Sequence, residues 1–176
     1  ELPSEPSADM SAYDMIVALL RGLQFNDVPH ANAGLERCYA FTDLACKKLV
    51  TGHGNVPEER TLEKFIGYAA ESSKIAPFIG ASSLQFGELT VIPGTPTRGE
   101  IASMPVKVRR AIKSQVAYDS GFERPNVHPG NEAVKPETFM VRMQKQRRPP
   151  LSGAFLVTDL IDVATVASVA RPLNRE

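Results

Sequence analysis

The sequence predicts an α+β domain in which three helices precede an antiparallel sheet and pack on one of its faces. In roughly the first 73 residues, apolar side chains recur at the spacing i, i+3, i+4, i+7 of an amphipathic helix. In the second half they alternate with polar side chains, as in strands that bury one face. The length of 176 residues fits a single domain.

Three helices are predicted at about residues 9–25, 33–50 and 58–73. The first ends at residues 26–29 (NDVP), because the residue before a proline disfavours helical backbone and Asn and Asp side chains bond to nearby backbone. We interpret this segment as a rigid structural corner between two helices. The apolar stripes are Tyr13, Ile16, Val17, Leu19, Leu20 and Leu23 in the first helix, Leu35, Cys38, Tyr39, Thr42, Ala45, Cys46 and Leu49 in the second, and Leu62, Phe65, Ile66 and Ala69 in the third.

Four or more strands are predicted in the second half, with the last two forming a long antiparallel hairpin. A phase slip at Gly87 indicates a bulge, and Pro105 favours an edge position for its strand, since proline cannot donate to a ladder. The alternating runs are Leu84, Phe86, Leu89 and Val91, then Met104, Val106 and Val108, then Phe139, Val141 and Met143, and finally Phe155, Val157, Asp159, Ile161 and Val163, of which all but Asp159 are apolar.

We expect one domain over residues 9–166, with an extended lead-in at 1–8 and a C-terminal tail at 167–176. Residues 114–138 fit neither period and are rich in Pro, which predicts a long loop of a kind that is often functional. The first residue is Glu1 rather than Met, which is compatible with removal of a targeting segment or with an incomplete chain. Pro-rich segments are partly stiff, so that ordering them on a partner costs less entropy.

The formal net charge of zero argues against a globally basic nucleic-acid-binding protein, but it conceals an uneven distribution. Residues 1–97 contain 7 basic and 12 acidic side chains, whereas residues 98–148 contain 11 basic and 5 acidic ones. Such asymmetry suits docking against a charged partner. The alternative is that the charges mix on solvated faces in three dimensions, and the sequence leaves both interpretations open.

The sequence predicts no membrane span, disulfide, cofactor or metal site. The longest apolar run is six residues, against about 18–20 for a membrane helix. Cys38 and Cys46 lie eight residues apart on one predicted helix, about 12 Å, whereas a disulfide requires Cα atoms within about 7 Å, so we expect free thiols. His30, His53 and His128 lie in separate predicted loops without partners at metal-ligand spacing.

Three stretches together carry a resemblance to a known family. They are residues 19–41 (LLRGLQFNDVPHANAGLERCYAF), the helix around 61–68 with its Phe and Tyr, and residues 141–159 (VRMQKQRRPPLSGAFLVTD). They resemble plastid proteins of the nuclear-transport-factor-2-like superfamily, although Phe155 stands near where that family has Trp. The resemblance implies a cone-shaped domain, with three helices wrapped on a strongly bent antiparallel sheet. It implies little about activity, because the fold hosts enzymes, transport factors and scaffolds.

Enzymes of this superfamily place a carboxylate with a Tyr or His in the cavity of the cone. The candidates in this chain are Tyr13, Asp14, Tyr39, Asp43 and Tyr68. We expect Tyr13 and Tyr39 to be core side chains and Asp14 and Asp43 to face solvent, so an isomerase- or dehydratase-type site is weakly supported. A small-molecule-binding protein or an enzyme using the cavity remains the alternative function.

We interpret the chain as a non-catalytic accessory subunit that docks onto protein partners in a larger assembly. From the resemblance we expect the protein to be located in the plastid, on the stromal side of the thylakoid membrane. The specific hypothesis is that it is a peripheral subunit of a photosynthetic complex such as photosystem I. Nucleic acid ranks lower as a partner, because interleaved aromatic residues are few, and a plastid RNA-associated factor is the weaker alternative. The candidate partner-binding residues are the basic side chains Lys107, Arg109, Arg110, Lys113, Arg124, Lys145, Arg147 and Arg148.

Overall fold

The described residues in the first half of the chain form four helices. In the computed structural model, which describes residues 2–51, 61–110 and 135–164, the helices are α1 (Ala12–Gln24), α2 (Ala33–Phe41), α3 (Leu44–Thr51) and α4 (Leu62–Ala69), followed by a 3₁₀ turn at Ala76–Phe78. None of the helices in these residues is long and apolar enough to cross a bilayer. The predicted long loop and C-terminal tail fall almost entirely outside the described residues.

Helix α1 begins three residues later than predicted, because Ser11 caps it. The Ser11 hydroxyl accepts a hydrogen bond from the Asp14 N–H at 3.1 Å and donates one to the Asp14 carboxylate at 2.6 Å. The expectation that Tyr13 is a core side chain is wrong: it is 45% exposed, and its ring lies 6.5 Å from that of Phe86. The buried stripe is centred on Leu19 instead, so Tyr13 lies at its margin.

The second predicted helix, residues 33–50, is two helices. Thr42 leaves the helical conformation and forms a parallel bridge with Val157, and the N–H of Asp43 donates to the Val157 carbonyl at 2.9 Å. The Asp43 carboxylate then accepts from the Cys46 N–H at 2.7 Å, which caps the start of α3. Because the break changes the direction of the chain, Ala45 and Leu49 are exposed and not buried as predicted.

In the part of the chain that the structure describes, five antiparallel strands form one sheet. They are β1 (Ser83–Phe86), β2 (Thr90–Ile92), β3 (Ile101–Arg109), β4 (Glu137–Lys145) and β5 (Phe155–Asp162). The strand order is β1-β3-β4-β5, and β2 also pairs with β3, beyond the end of β1. The predicted β4–β5 hairpin is confirmed, and so is the α+β class with helices and an antiparallel sheet.

Pro105 lies in a central strand and not at an edge as predicted. In an antiparallel strand, the N–H and C=O of one residue point to the same neighbour, and the Pro105 carbonyl accepts from the Gly87 N–H at 2.8 Å. On the side of β3 that faces β1 and β2, Pro105 lies opposite the gap between the end of β1 at Phe86 and the start of β2 at Thr90. The missing proline N–H therefore falls where the ladder is already interrupted, and pairing with β4 continues through Met140.

The alternation predicted for the last strand changes phase at a bulge. Arg142 of β4 pairs with Asp159, but the next residue, Met143, pairs with Val157, which leaves Thr158 as the extra residue. Leu160 is therefore buried, while Asp159 and Ile161 are only half-buried, contrary to the predicted pattern. In β3 and β4 the predicted alternation is confirmed, with Met104, Val106, Val108, Phe139, Val141 and Met143 all buried.

The core lies between the helices and one face of the sheet. It includes the fully buried rings of Phe41, Phe65, Phe78 and Phe139, and the centroids of the last two are 5.0 Å apart. Such contacts add to the area that the aromatic rings remove from water. The helical side of the sheet is thus filled with apolar side chains, and the grooves described below lie elsewhere.

Candidate functional site

The basic residues proposed for partner binding separate into two groups at opposite ends of the sheet. Lys107, Arg109 and Arg110 lie at the end of β3, while Lys145 lies beside Glu100, where β3 begins. Seven residues of extended chain separate the two positions, or about 23 Å at ~3.3 Å per residue. Two further members of the predicted set, Lys113 and Arg124, lie outside the described residues.

One depression of about 560 Å³ lies at the turn end of the β4–β5 hairpin and is lined by Lys145, Arg147 and Arg148; we call it the hairpin depression. Within the described part of the chain, neither arginine has an ion-pair partner, and both are exposed. Among the described residues, the lining contains a single carboxylate, that of Asp43. The depression therefore combines three positive side chains with one negative one. The remaining lining residues are Thr97, Gly99, Gln144 and Gln146.

The backbone that carries these side chains is fixed by short hydrogen bonds. The N–H of Lys145 donates to the Glu100 carbonyl, and Gln146 exchanges bonds with Ala154 and Gly153, each at 2.8 Å. A Cβ at Gly99 would lie only 1.9 Å from the Lys145 carbonyl oxygen, so only glycine permits this approach of the two chains. The Lys145 ammonium also lies 5.4 Å from the centre of the Phe155 ring, within cation–π range.

The other basic group is partly neutralised. Arg110 forms an ion pair with Glu137, with 2.9 Å between Nε and Oε1 and 2.9 Å between Nη2 and Oε2, so the contact is bidentate. Lys107 and Arg109 are exposed on the outer face of β3. The two ends of the sheet thus differ in how much positive charge is free to contact a partner.

The candidate acid–base residues do not converge on one cavity. Asp14 is engaged in the cap of α1, and Asp43 caps α3 and is half-buried, although we expected it to face solvent. Tyr39 is half-buried, with its ring 5.3 Å from that of Phe65 and the Lys47 ammonium 3.9 Å above it. The exposed Tyr13 and Tyr68 lie on different helices, α1 and α4.

Cys38 and Cys46 are buried free thiols, as predicted, although they lie on two helices and not one. Burial raises the pKa of the Cys46 thiol to about 12, assisted by the nearby carboxylates of Asp43 and Asp159, and burial likewise raises the pKa of Cys38. Both thiols are therefore poor nucleophiles. Within residues 2–51, 61–110 and 135–164, no group of three or more His, Cys, Asp or Glu side chains is placed to hold a metal ion.

A second feature was missed by the sequence analysis: a groove of about 1000 Å³ whose lining contains a buried arginine. Arg37 is only 7% exposed, and within the described ranges its Nη1 has no hydrogen-bond partner. Desolvation lowers the pKa of this guanidinium. The available signal was the position of Arg37 in α2, on the same face as the small residues Ala33 and Gly34. We call this the Arg37 groove.

The corner at residues 26–29 is hydrogen-bonded, as predicted, and it holds α1 and α2 together. The Asn26 side chain accepts from the Leu35 N–H at 3.0 Å, and the Asp27 carboxylate accepts from the Asn32 N–H at 2.9 Å. The Gly34 N–H donates to the Asn26 carbonyl at 2.8 Å. The NDVP motif therefore has a structural role next to the Arg37 groove.

Comparison of the chain with protein-family models, curated proteins and solved structures yields no match.

Proposed function

We propose that this protein is a non-catalytic docking subunit that binds an acidic surface of a protein partner through the hairpin depression. The observation that carries the proposal is the grouping of Lys145, Arg147 and Arg148 around one depression, whose described lining contains a single carboxylate, Asp43. Charge complementarity of this kind accelerates encounter and fixes orientation. The two arginines also offer planar guanidinium groups suited to bidentate contact with carboxylates.

The geometry favours the hairpin end over the β3 end for two reasons. Arg110 already has a carboxylate partner in Glu137, so the β3 end has less free charge. The backbone under Lys145 is fixed by its bond to Glu100 and by the close approach of Gly99, so less conformational entropy is lost when a partner binds.

The finer version of the proposal is an accessory subunit of the nuclear-transport-factor-2-like superfamily on the stromal side of a photosynthetic complex such as photosystem I. Its support is the sequence resemblance, together with a fold of helices and an antiparallel sheet. Retention on thylakoid complexes in mild detergent, with release by salt, would support it. A protein that stays apart from thylakoids at low salt would contradict this version while leaving the docking surface to be tested separately.

The docking surface is tested with fluorescently labelled decaglutamate, with anisotropy measured from 50 to 300 mM NaCl. We expect the double variant R147E/R148E to weaken binding roughly tenfold, since each exposed charge contributes about 0.2–1 kcal/mol, and wild-type binding to weaken with salt. The matched control K107E/R109E changes the same number of charges at the other end of the sheet and should change binding less than twofold. Equal binding by the wild type and R147E/R148E would refute the proposal, and so would tighter binding of a single-stranded decanucleotide than of decaglutamate.

A further inference from the structure

The Arg37 groove is formed largely by α1, α2 and the corner between them, and it shares no lining residue with the hairpin depression. Its lining comes from the N-terminal segment, the two helices, the corner between them and the start of α4, and none of it comes from the sheet. Phe25 is 56% exposed, Val28 is 64% exposed and Leu62 is 38% exposed. Three large apolar side chains of the lining are thus exposed to solvent. The same lining contains the buried, positively charged side chain of Arg37.

The Arg37 guanidinium has one satisfied edge and one under-satisfied edge. Its Nε donates to the Pro3 carbonyl at 2.7 Å, whereas Nη2 reaches the Leu2 carbonyl only at 3.4 Å and Nη1 has no partner among the described residues. Nη1 lies against Gly22, where a Cβ would come within 2.5 Å of it. A buried N–H of a charged group without an acceptor is costly, so the edge formed by Nη1 and Nη2 is the place for an added acceptor.

The nearby acids do not neutralise this charge. The Glu36 carboxylate lies 3.6 Å from Nε2 of His30, and Glu5 is exposed at the rim, with no ion pair to Arg37 in the described part of the chain. A carboxylate is the acceptor whose two oxygens match the spacing of the Nη1 and Nη2 hydrogens, and its charge-assisted bonds are about twice as strong as those of a neutral carbonyl.

A ligand with a carboxylate would replace the two contacts that Leu2 makes in the groove. Leu2 contributes a long, neutral hydrogen bond to Nη2 and a half-buried apolar side chain to the same groove. A molecule with a carboxylate and a hydrocarbon body would supply both contacts, and its carboxylate would also reach Nη1. The bond between Pro3 and Nε can remain in place, so the contact that has to be displaced is that of Leu2.

We propose that the Arg37 groove binds a small amphiphilic carboxylate, whose carboxylate pairs with Nη1 and Nη2 of Arg37 and whose hydrocarbon chain lies on Phe25, Val28 and Leu62. The inference is independent of the docking function, because the two sites share no residue.

The probe is decanoate, with decan-1-ol as its neutral match, and binding is measured by calorimetry with the full chain at pH 7.5. We expect decanoate to bind at least about tenfold more tightly than decanol, and R37Q to lose this preference, because the charge-assisted pair is removed. The control R21Q removes an arginine of α1 that lies outside the groove and should bind as the wild type does. R147E/R148E should also leave decanoate binding unchanged.

A second variant keeps the test decisive if R37Q fails to fold. F25S/V28S changes two exposed side chains, so the fold is retained while the apolar walls are lost. We expect this variant to weaken decanoate binding at least about fivefold. The proposal is overturned if the wild type does not bind decanoate, if decanol binds equally well, or if F25S/V28S binds like the wild type.

Discussion

The crossing of α1 and α2 at two glycines allows a quantitative test of the fold. An ideal Cβ on Gly34 would lie 2.3 Å from the Gly22 carbonyl oxygen and 2.9 Å from the Asn26 Cα, both of them backbone atoms that cannot rotate away. The first distance is more than 1 Å short of an optimal contact of about 3.5 Å, so the helices must separate. Overpacking costs about 2–3 kcal/mol here, the upper half of the usual range, because the clashing atoms belong to the backbone, and the better helix propensity of Ala returns about 1 kcal/mol.

We therefore expect G34A to lower the free energy of unfolding by about 1–2 kcal/mol, and the melting temperature by about 2–8 °C for a chain of this size. The matched control is G67A in α4, where a Cβ would meet nothing within 4 Å. That substitution should raise stability by about 0.5–1 kcal/mol, because Gly is a poor helix former. Both variants are measured by urea unfolding followed by circular dichroism. If G34A is as stable as the wild type, the close crossing of α1 and α2 is incorrect.

Two further predictions concern the helices. S11A removes the cap of α1 and should lower the free energy of unfolding by about 0.5–2 kcal/mol in the same urea assay, whereas S4A should have no effect, since Ser4 is exposed and caps no helix. The thiols of Cys38 and Cys46 should react with Ellman's reagent at pH 8 roughly a thousandfold more slowly in the folded protein than in the unfolded protein. Rapid labelling of either thiol in the folded protein would contradict their burial. Because folding raises both thiol pKa values, their contribution to stability is complete below pH ~8.5 and decreases as the pH rises from there towards about 12.

The strands were predictable because the burial of their side chains follows from the local alternation of apolar and polar residues. The differences from the prediction lie at the bulge in β5 and at the gap between β1 and β2, which depend on how the strands pair. Nothing near Thr158 signals a bulge, since the extra residue is defined by the pairing of β5 with Arg142 and Met143 on β4. Pro105 likewise suggested an edge, because the sequence cannot show that the neighbouring strand is divided at that point.

The helix break and the Arg37 groove were harder to predict for different reasons. Asp43 is a good N-cap residue, so a signal for the start of α3 was present but was outweighed by an uninterrupted apolar stripe. For Arg37 the one signal was its position on the same helix face as Ala33 and Gly34, which does not outweigh the rule that charged residues on helices are usually solvated. Its burial depends on Leu2 and Pro3, more than 30 residues away in the sequence.

The division of one sheet edge between β1 and β2 has a consequence for self-association. An exposed strand edge is a template for pairing with another chain, and the risk grows with the length of the uninterrupted edge. Here the edge beside β3 offers only four residues in Ser83–Phe86 and three in Thr90–Ile92. At the other edge, which is β5, the backbone of Val157 is already paired with Thr42 and Asp43. The same irregularities that obscured the sequence pattern therefore shorten the free edges along which two copies of the domain could join into a continuous sheet.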